Sequence, residues 1–320
     1  MQTYYIISSG TLEKNGDSIT LKNSNGETSI PIESAESIVV YSNLTFTKPA
    51  LTLLAKKNIP VFIYSMYGSY IGSFLPEDFL ISGNLIKKQA QICADIEKRL
   101  VIARKIIIGE AKNMNIVLKR GGMNTVNLRL KEIEKSSSIP ELMGIEGNIK
   151  NDYFKMIDEK VPEQFKIIKR SRRPPENKAN AIISFLNSLM YSTVSSEIFS
   201  THLNPALSFL HEPFERRTSL SLDVSEIFKP LVCDRVFLKL TRLKMLNDID
   251  FYEESTGGVF LSEVGRKKLV KEFDEKINET VYHPNLKRYV SYKTLIRLEL
   301  YKLEKEILLE KPYKPYVSRR

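Results

Sequence analysis

The chain has 320 residues, a length that suggests two domains, and 42% of them are hydrophobic, which excludes a disordered protein. A formal net charge of +10 favours a polyanionic partner such as nucleic acid. The sequence has no apolar run of the roughly 18–20 residues that a membrane span needs, and its two cysteines suggest a reducing compartment. We therefore expect a cytoplasmic protein that makes no use of a membrane.

Residues 1–77 are predicted to form a small β-rich domain. Short runs rich in isoleucine, valine, threonine and tyrosine alternate with turn signals such as Asn25-Gly26, which suits a tight hairpin turn. One short helix is predicted over 48–57, where Leu51, Leu54 and Ala55 share a face. The predicted strands cover 3–8, 18–22, 27–32, 37–41, 60–65 and 69–74.

Pro76 and Gly83 indicate a linker over 78–84, after which the hydrophobic spacing becomes helical. Apolar residues recur at threes and fours from Leu85 to Ile107, which predicts one amphipathic helix. The predicted fold class is therefore α+β, with the small β-rich domain followed by a larger all-α domain over 85–320. Loops are predicted at 121–122, 136–140, 172–177 and 202–217, and a last helix over 291–309.

One of the three histidines, His211, follows an apolar segment and lies in a proline-containing loop. Asp223 and Glu226 follow at a spacing that places both carboxylates on one face of a helix. An imidazole and two carboxylates suit Mg²⁺ or Mn²⁺ as ligands. Two simpler interpretations stay open here. His211 fits an ordinary core or loop residue, and Asp223 with Glu226 fits a helix capping box in which Asp223 is the N-cap.

Glu146 lies in a further predicted helix, where apolar residues recur every four positions. Gly144 and Gly147 weaken that helix by about 1 kcal/mol each relative to alanine. Glycines kept at such a cost indicate the close approach of another backbone or of a ligand. The simpler alternative for Glu146 is a solvated surface residue.

Basic residues lie near both candidate regions. Arg170, Arg172 and Arg173 precede a predicted central helix, and Arg216 and Arg217 follow His211 closely. Lysine and arginine beside a metal site would bind phosphates and position a DNA strand, so these five are the candidate DNA contacts. A solvated charged face is the alternative. The sequence has no glycine-rich phosphate loop before a helix, so it implies no ATP or dinucleotide cofactor.

Five segments, in this order, resemble the CRISPR-associated protein one family, the integrase and nuclease of spacer acquisition. The resemblance covers essentially the whole chain. Each segment alone is a weak signal, but the five together are specific. The segments are 55–72, 142–147, 180–187, 204–211 and 219–228, which look like the family's late helix-strand-turn-strand, glutamate motif, central helix, histidine motif and acidic motif.

The resemblance implies a metal-dependent DNA endonuclease and integrase. It assigns the metal ligands to Glu146, His211 and Glu226, adds Asp223 to the catalytic set as a supporting acid, and implies Mg²⁺ or Mn²⁺. The substrate would be double-stranded DNA. The 3′-hydroxyl ends of short DNA would be joined to the repeat array by transesterification, and DNA, branched forms included, would be cleaved by hydrolysis.

The resemblance also implies an assembly. The N-terminal β-rich domain would mediate a homodimer, and the small CRISPR-associated protein two would bridge two dimers. A competing hypothesis is a non-catalytic basic DNA-binding scaffold of the adaptation complex, and a third is an unrelated RNA-processing factor. The presence of all the motif ligands favours the enzyme over the scaffold.

Overall fold

The computed structural model describes residues 2–76, 80, 82–118, 129–171, 174–212, 218–255 and 257–319. The strands are β1 (Gln2–Ile6), β2 (Gly10–Asn15), β3 (Ser18–Asn23), β4 (Gly26–Ile30), β5 (Ala35–Val40), β6 (Leu44–Phe46), β7 (Val61–Tyr64), β8 (Tyr70–Phe74), β9 (Phe251–Glu253), β10 (Val259–Leu261), β11 (Thr280–His283) and β12 (Arg288–Ser291). The helices are α1 (Lys48–Lys56), α2 (Gly83–Ala94), α3 (Ile96–Leu118), α4 (Leu130–Lys135), α5 (Ile139–Asp158), α6 (Lys178–Phe199), α7 (Ser219–Phe228), α8 (Arg235–Arg242), α9 (Glu263–Asn278) and α10 (Tyr292–Leu309). A π-helical turn over Pro230–Asp234 joins α7 to α8.

Two four-stranded sheets form the N-terminal region. The first has the order β1-β5-β7-β8, in which only β8 runs antiparallel to its neighbour. The second has the order β4-β3-β2-β6, in which β6 runs parallel to β2 and the other pairs are antiparallel. The loop between β3 and β4 is Ser24-Asn25, one residue earlier than predicted, and Gly26 begins β4 with a φ of +120°.

Strands β2 and β6 are absent from the predicted set. β2 has a single buried apolar residue, Leu12, among polar neighbours, so its pattern does not indicate a strand. β6 has three residues and takes its place by pairing with β2. Tertiary pairing, rather than local propensity, creates both strands.

The central strands β5 and β7 of the first sheet are buried on both faces, where successive side chains of a strand point in opposite directions. Ile38 and Val40 pack into a core shared with α1 and the second sheet. Val39 and the following Tyr41 join the core of the helical region instead, where Tyr41 stacks on Tyr64 with ring centroids 5.2 Å apart. The sheet therefore lies between the two cores and contributes side chains to both.

Helix α6 is the centre of the helical region and packs against α7, α9 and α10. It is buried along nearly its whole circumference, as expected of a helix without a polar stripe. The predicted α+β order, strands first and helices second, is confirmed. The larger part is not all-α, however, because β9 pairs with β10 and β11 with β12, both antiparallel.

The single helix predicted from Leu85 to Ile107 is wrong in one respect, because the chain breaks between α2 and α3. Asp95 leaves the helical conformation with a ψ of 103°. Its carboxylate accepts a hydrogen bond from the Lys98 N–H at 3.1 Å, which is an N-cap for α3. Although α3 has 23 residues, no described helix has both the length and the apolar composition to cross a membrane.

The predicted linker overlaps the first helix of the larger part. Helix α2 begins at Gly83, with Ser82 as its N-cap, so residues 83 and 84 are helical. The division into domains at 78–84 and the dimerisation role of residues 1–77 stay predictions.

A buried network of charges joins the first sheet to α6 and α10. Arg297 Nε donates to Glu197 Oε2 at 2.6 Å, and the same guanidinium pairs with Glu36 on β5. Lys293 donates to Glu36 Oε2 at 2.8 Å. Burial would raise the pKa of Glu36, but Lys293 and Arg297 lower it overall. Its stabilising contribution is therefore present above its ordinary value of 4.5 and is lost as the pH falls through the lower folded-state value.

We expect Glu197→Ala to lower the free energy of unfolding by about 2 kcal/mol, since Arg297 loses a charge-assisted hydrogen bond and is left with Glu36 as its carboxylate partner. Glu197 has no exposed side-chain surface, so Arg297 would lose its buried carboxylate. Guanidinium unfolding of the variant measures the change. Glu33→Ala is the control, because Glu33 is 80% exposed in its pair with Lys57 and its loss should leave the curve unchanged. Equal losses in both variants would contradict a role for the buried network.

Candidate metal centre

Three buried carboxylates from three helices meet at one point. They belong to Glu110 of α3, Glu146 of α5 and Glu226 of α7. One oxygen from each lies within 4.8 Å of the others. The structure therefore brings together two of the predicted site residues, Glu146 and Glu226, and adds Glu110, which the sequence motifs did not indicate.

The cluster follows from how the helices bury their apolar faces. On α5, Leu142, Ile145, Ile149 and Tyr153 are buried at helical spacing, and Glu146 stands beside this stripe. Helix α3 packs against both α5 and α7, so the acid next to each stripe points toward the same space. The helix predicted around Glu146 is confirmed, and Glu146 is buried rather than solvated.

The two glycines on α5 do not mark a close backbone contact. A Cβ added at Gly144 or Gly147 would meet no described atom within 4 Å. The expectation that another backbone approaches there is wrong. Gly144 is exposed while Glu146 is buried, so the open space at Gly144 is solvent on another face of α5.

Two lysines balance the negative charge of the cluster. Lys150 lies one turn after Glu146, pairs with it, and lies 2.9 Å from Glu226 Oε2 and 3.1 Å from Glu110 Oε1. Lys229 lies 2.6 Å from Glu226 Oε1. Carboxylates this close repel one another, so they need these ammonium groups to share a buried space in the absence of another cation.

The pKa values within the cluster move in opposite directions. Burial raises the pKa of Glu110 well above its usual range, and the neighbouring Glu226 and Glu146 add to the effect against the attraction of Lys150. Burial also opposes ionisation of Glu226, but Lys150, Lys229 and His211 together hold its pKa well below the usual range. Glu226 is therefore the anionic anchor of the cluster at neutral pH.

His211 lies beside this cluster and is oriented by Asp223. The Asp223 carboxylate, which has no exposed surface, lies 2.8 Å from His211 Nδ1 through Oδ1. It also accepts hydrogen bonds from the backbone N–H groups of Phe209, Leu210 and His211 at 2.6, 2.9 and 2.9 Å. Because an ionised carboxylate can only accept, Nδ1 carries a ring proton, and the neutral form of the imidazole offers the Nε2 lone pair to a ligand.

This geometry overturns the capping-box interpretation of Asp223 and Glu226. Helix α7 begins at Ser219, with Thr218 at the N-cap, so Asp223 lies inside the helix. Its carboxylate binds the preceding loop instead of its own helix end. The interpretation of His211 as an ordinary core or loop residue also loses support, because its side chain is 26% exposed, pairs with Asp223 and interacts with the charge of Glu226.

The loop that carries His211 is also held from α2 and α3. Gln89 donates to the carbonyl oxygens of Asn204 and Leu207 at 3.1 and 2.7 Å. Arg99 donates to the carbonyl oxygens of Phe209 and His211 at 2.8 and 3.0 Å. These two side chains are supporting residues that sequence reasoning missed, since an isolated glutamine or arginine on a helix carries no recognisable signal.

The segment 311–319, which follows α10, packs behind the cluster. Asn113 of α3 donates to the Tyr316 carbonyl oxygen at 3.0 Å and accepts from the Ser318 N–H at 2.9 Å. Tyr316 stacks on Phe228 at the end of α7 with ring centroids 5.7 Å apart. The helices that carry Glu110 and Glu226 are therefore tied together by this segment.

Among the predicted DNA contacts, Arg172, Arg173, Arg216 and Arg217 lie outside the described residues. Arg170 is half-buried, donates to the Ser171 carbonyl oxygen at 3.3 Å and pairs with the Asn180 side chain. These contacts fix the chain before α6. A direct role of Arg170 in binding DNA stays a prediction.

The donor set fits a hard divalent cation. Carboxylate oxygens are the ligands that Mg²⁺ and Mn²⁺ prefer, and a neutral imidazole suits Mn²⁺ as well. Glu110 Oε1 is buried without a hydrogen-bond partner among the described residues, although Lys150 Nζ is near enough to attract it. The three acids each offer an oxygen within 4.8 Å of the others, a spacing that suits a single divalent cation.

Comparison with known proteins gives one consistent result. A family model described as CRISPR associated protein Cas1 matches residues 4–275. The CRISPR-associated endonuclease Cas1 of Thermotoga maritima is 42% identical over 316 residues, which cover 98% of this chain and 99% of that protein.

Solved structures share the fold. A Cas1 protein from Thermotoga maritima matches with a TM-score of 0.90 at 40% identity, covering 98% of this chain and 100% of that one. A casposase bound to integration product matches with 0.88 at 21% identity, covering 100% and 94%. A Cas6-RT-Cas1–Cas2 complex matches with 0.84 at 19% identity, covering 100% of this chain and 36% of that one.

Proposed function

Because the chain belongs to the Cas1 family of CRISPR-associated proteins, we propose that it is a metal-dependent DNA integrase and endonuclease of spacer acquisition. The observation that supports this most directly is the meeting of Glu110, Glu146 and Glu226 in a buried cluster beside His211. Buried carboxylates that converge from separate helices, with an oriented imidazole, are typical of a metal site on DNA-processing enzymes.

The proposed reactions are two uses of one site. In integration, the 3′-hydroxyl of a short DNA attacks a phosphodiester of the repeat array, and the displaced 3′-oxygen leaves, so one bond forms as another breaks. In cleavage, including that of branched DNA, water replaces the hydroxyl. Neither reaction needs a covalent bond to the protein.

We propose that Glu146, Glu226 and His211, through Nε2, hold Mg²⁺ or Mn²⁺. The cation would stabilise negative charge on the scissile phosphate and lower the pKa of the attacking hydroxyl. Asp223 supports the site by fixing the His211 ring through Nδ1, an arrangement that orients a ligand histidine and sets its tautomer. Glu110 offers a further oxygen on the buried side.

A groove of about 840 Å³ provides a described surface for DNA. Exposed Lys305, Lys311 and Lys314 would bind phosphates, and Tyr282 and Tyr289, 54% and 70% exposed, offer faces for stacking bases. The same segment, 311–319, forms one wall of the groove and packs behind the acid cluster. The segment therefore has the groove on one side and the helices of Glu110 and Glu226 on the other.

The proposed partners are double-stranded DNA, a second copy of the chain and the small protein Cas2. A likeness to the casposase bound to integration product supports the first, and a likeness to the Cas6-RT-Cas1–Cas2 complex supports the last. Residues 1–77 are proposed to mediate the homodimer.

Removal of the divalent cation should distinguish the proposed enzyme from the alternative hypothesis, a non-catalytic DNA-binding scaffold. We expect strand joining and cleavage of a labelled branched DNA in Mn²⁺, their loss in EDTA, and their return when Mn²⁺ is added in excess. DNA binding, measured by fluorescence anisotropy, should persist in EDTA, because basic residues supply most of the affinity. Binding without any strand chemistry in Mn²⁺ would support the scaffold instead.

A further inference from the structure

Lys150 occupies the middle of the acid cluster. Its Nζ lies 2.9 Å from Glu226 Oε2 and 3.1 Å from Glu110 Oε1, and it pairs with Glu146 as well. A divalent cation binds carboxylate oxygens at roughly 2.0–2.6 Å, and therefore needs the space between the same acids. The ammonium group and the cation are competitors for one position.

The second lysine of the site is held differently. Lys229 Nζ lies over the Tyr191 ring, 4.7 Å from its centroid, as well as against Glu226, and its side chain is 11% exposed. The Lys150 ammonium has its ion pairs with the three glutamates of the cluster, and its side chain is 24% exposed. Lys150 therefore has both a weaker hold outside the cluster and a path to solvent.

We propose that Lys150 is an internal counter-ion, which holds the three carboxylates together in the absence of metal and leaves the cluster when a divalent cation enters. The proposal rests on the metal-dependent function proposed above. Lys150 is a positioning residue in this scheme, since it keeps Glu110, Glu146 and Glu226 converged in a buried space that they would otherwise avoid.

The movement has a simple physical cause. A divalent cation among the glutamates would repel the ammonium at close range, and that repulsion is strong away from bulk water. The four-carbon stem of lysine is flexible, so the ammonium can turn outward without a change in α5. At the cluster entrance it would meet the phosphates of bound DNA, which attract it. The Lys150 ammonium would then pair with the glutamates in the metal-free state and with DNA phosphates in the metal-bound state.

Calorimetric titration of the full chain with Mn²⁺ tests the competition. We expect Lys150→Met to bind Mn²⁺ about tenfold more tightly than the unchanged protein, because the cation no longer displaces an ammonium. Lys155→Met is the matched control, since Lys155 is exposed on the same helix and should leave the affinity unaltered. Equal affinity in Lys150→Met and the unchanged protein would overturn the proposal while leaving the metal function intact. No Mn²⁺ binding by any of the three proteins would overturn both.

A measurement on the unchanged protein removes any dependence on the folding of the variant. Lysines are modified briefly by reductive methylation, with and without Mn²⁺, and each site is quantified by mass spectrometry. We expect modification of Lys150 to increase several-fold in Mn²⁺, because its ammonium has turned outward, while Lys155 stays constant. Unchanged or lower modification of Lys150 in Mn²⁺ would overturn the proposal.

Discussion

Glu146→Gln should lower the rates of DNA joining and cleavage by at least about 100-fold in Mn²⁺, because a neutral amide is a poor replacement for an anionic ligand. The side chain keeps its size and its place beside the apolar stripe of α5, so the fold should be retained. DNA affinity should stay within about twofold, since it depends on basic residues elsewhere. Time courses of strand joining on a labelled substrate, with anisotropy for binding, measure both quantities.

The matched control is Glu159→Gln, which makes the same chemical change at an exposed position at the C-cap of the same helix. Its rates should equal those of the unchanged protein. A normal rate of joining in Glu146→Gln would remove Glu146 from the site, and the proposed function would lose its central ligand.

Asp223→Asn should weaken both the fold and the activity. The carboxylate accepts three backbone N–H groups and the His211 ring from a position with no exposed surface. An amide would turn a donor toward those donors, so buried groups would be left unsatisfied. We expect a loss of about 2–4 kcal/mol in the free energy of unfolding. The rate of joining should fall by about 10–100-fold, because the imidazole is no longer oriented.

Two measurements separate these effects. Guanidinium unfolding reports the loss of stability, and Mn²⁺ titration at a temperature where the variant is folded reports the loss of orientation. Asp248→Asn serves as the control, because Asp248 forms an exposed pair with Lys178 and its unfolding curve should not change. If Asp223→Asn behaved like Asp248→Asn in both measurements, the loop around His211 would be held by other contacts.

The order of the fold could be predicted because its signals are local. The strand-to-helix change near residue 80 and the long helix around Glu146 follow from the period of the apolar residues. The break at Asp95 could not, because the apolar period continues across it and only the capping carboxylate marks it. Strand β2 could not be predicted either, because its own sequence has no strand pattern. It forms by pairing with β3 and β6.

The residues of the site also fall into those with a signal in the sequence and those that only the packing reveals. Glu146, His211, Asp223 and Glu226 stand in motifs that the family resemblance identifies. Glu110 stands in an apolar helix with no motif, and only the packing of α3 against α5 and α7 reveals it. Lys150 has the one-turn spacing of a simple surface pair with Glu146. Its contact with Glu226, 76 positions further along the chain, is visible only in three dimensions.

The bond between Asn113 and Ser318 spans 205 positions, and it fastens the helix of Glu110 from behind. While the protein is being synthesised, every acid of the cluster leaves the ribosome well before Ser318 does. The acid cluster is therefore complete in the sequence at Glu226, long before the segment that supports α3. A contact closed over so long a separation forms late in folding, so the support of α3 depends on the rest of the helical region being in place.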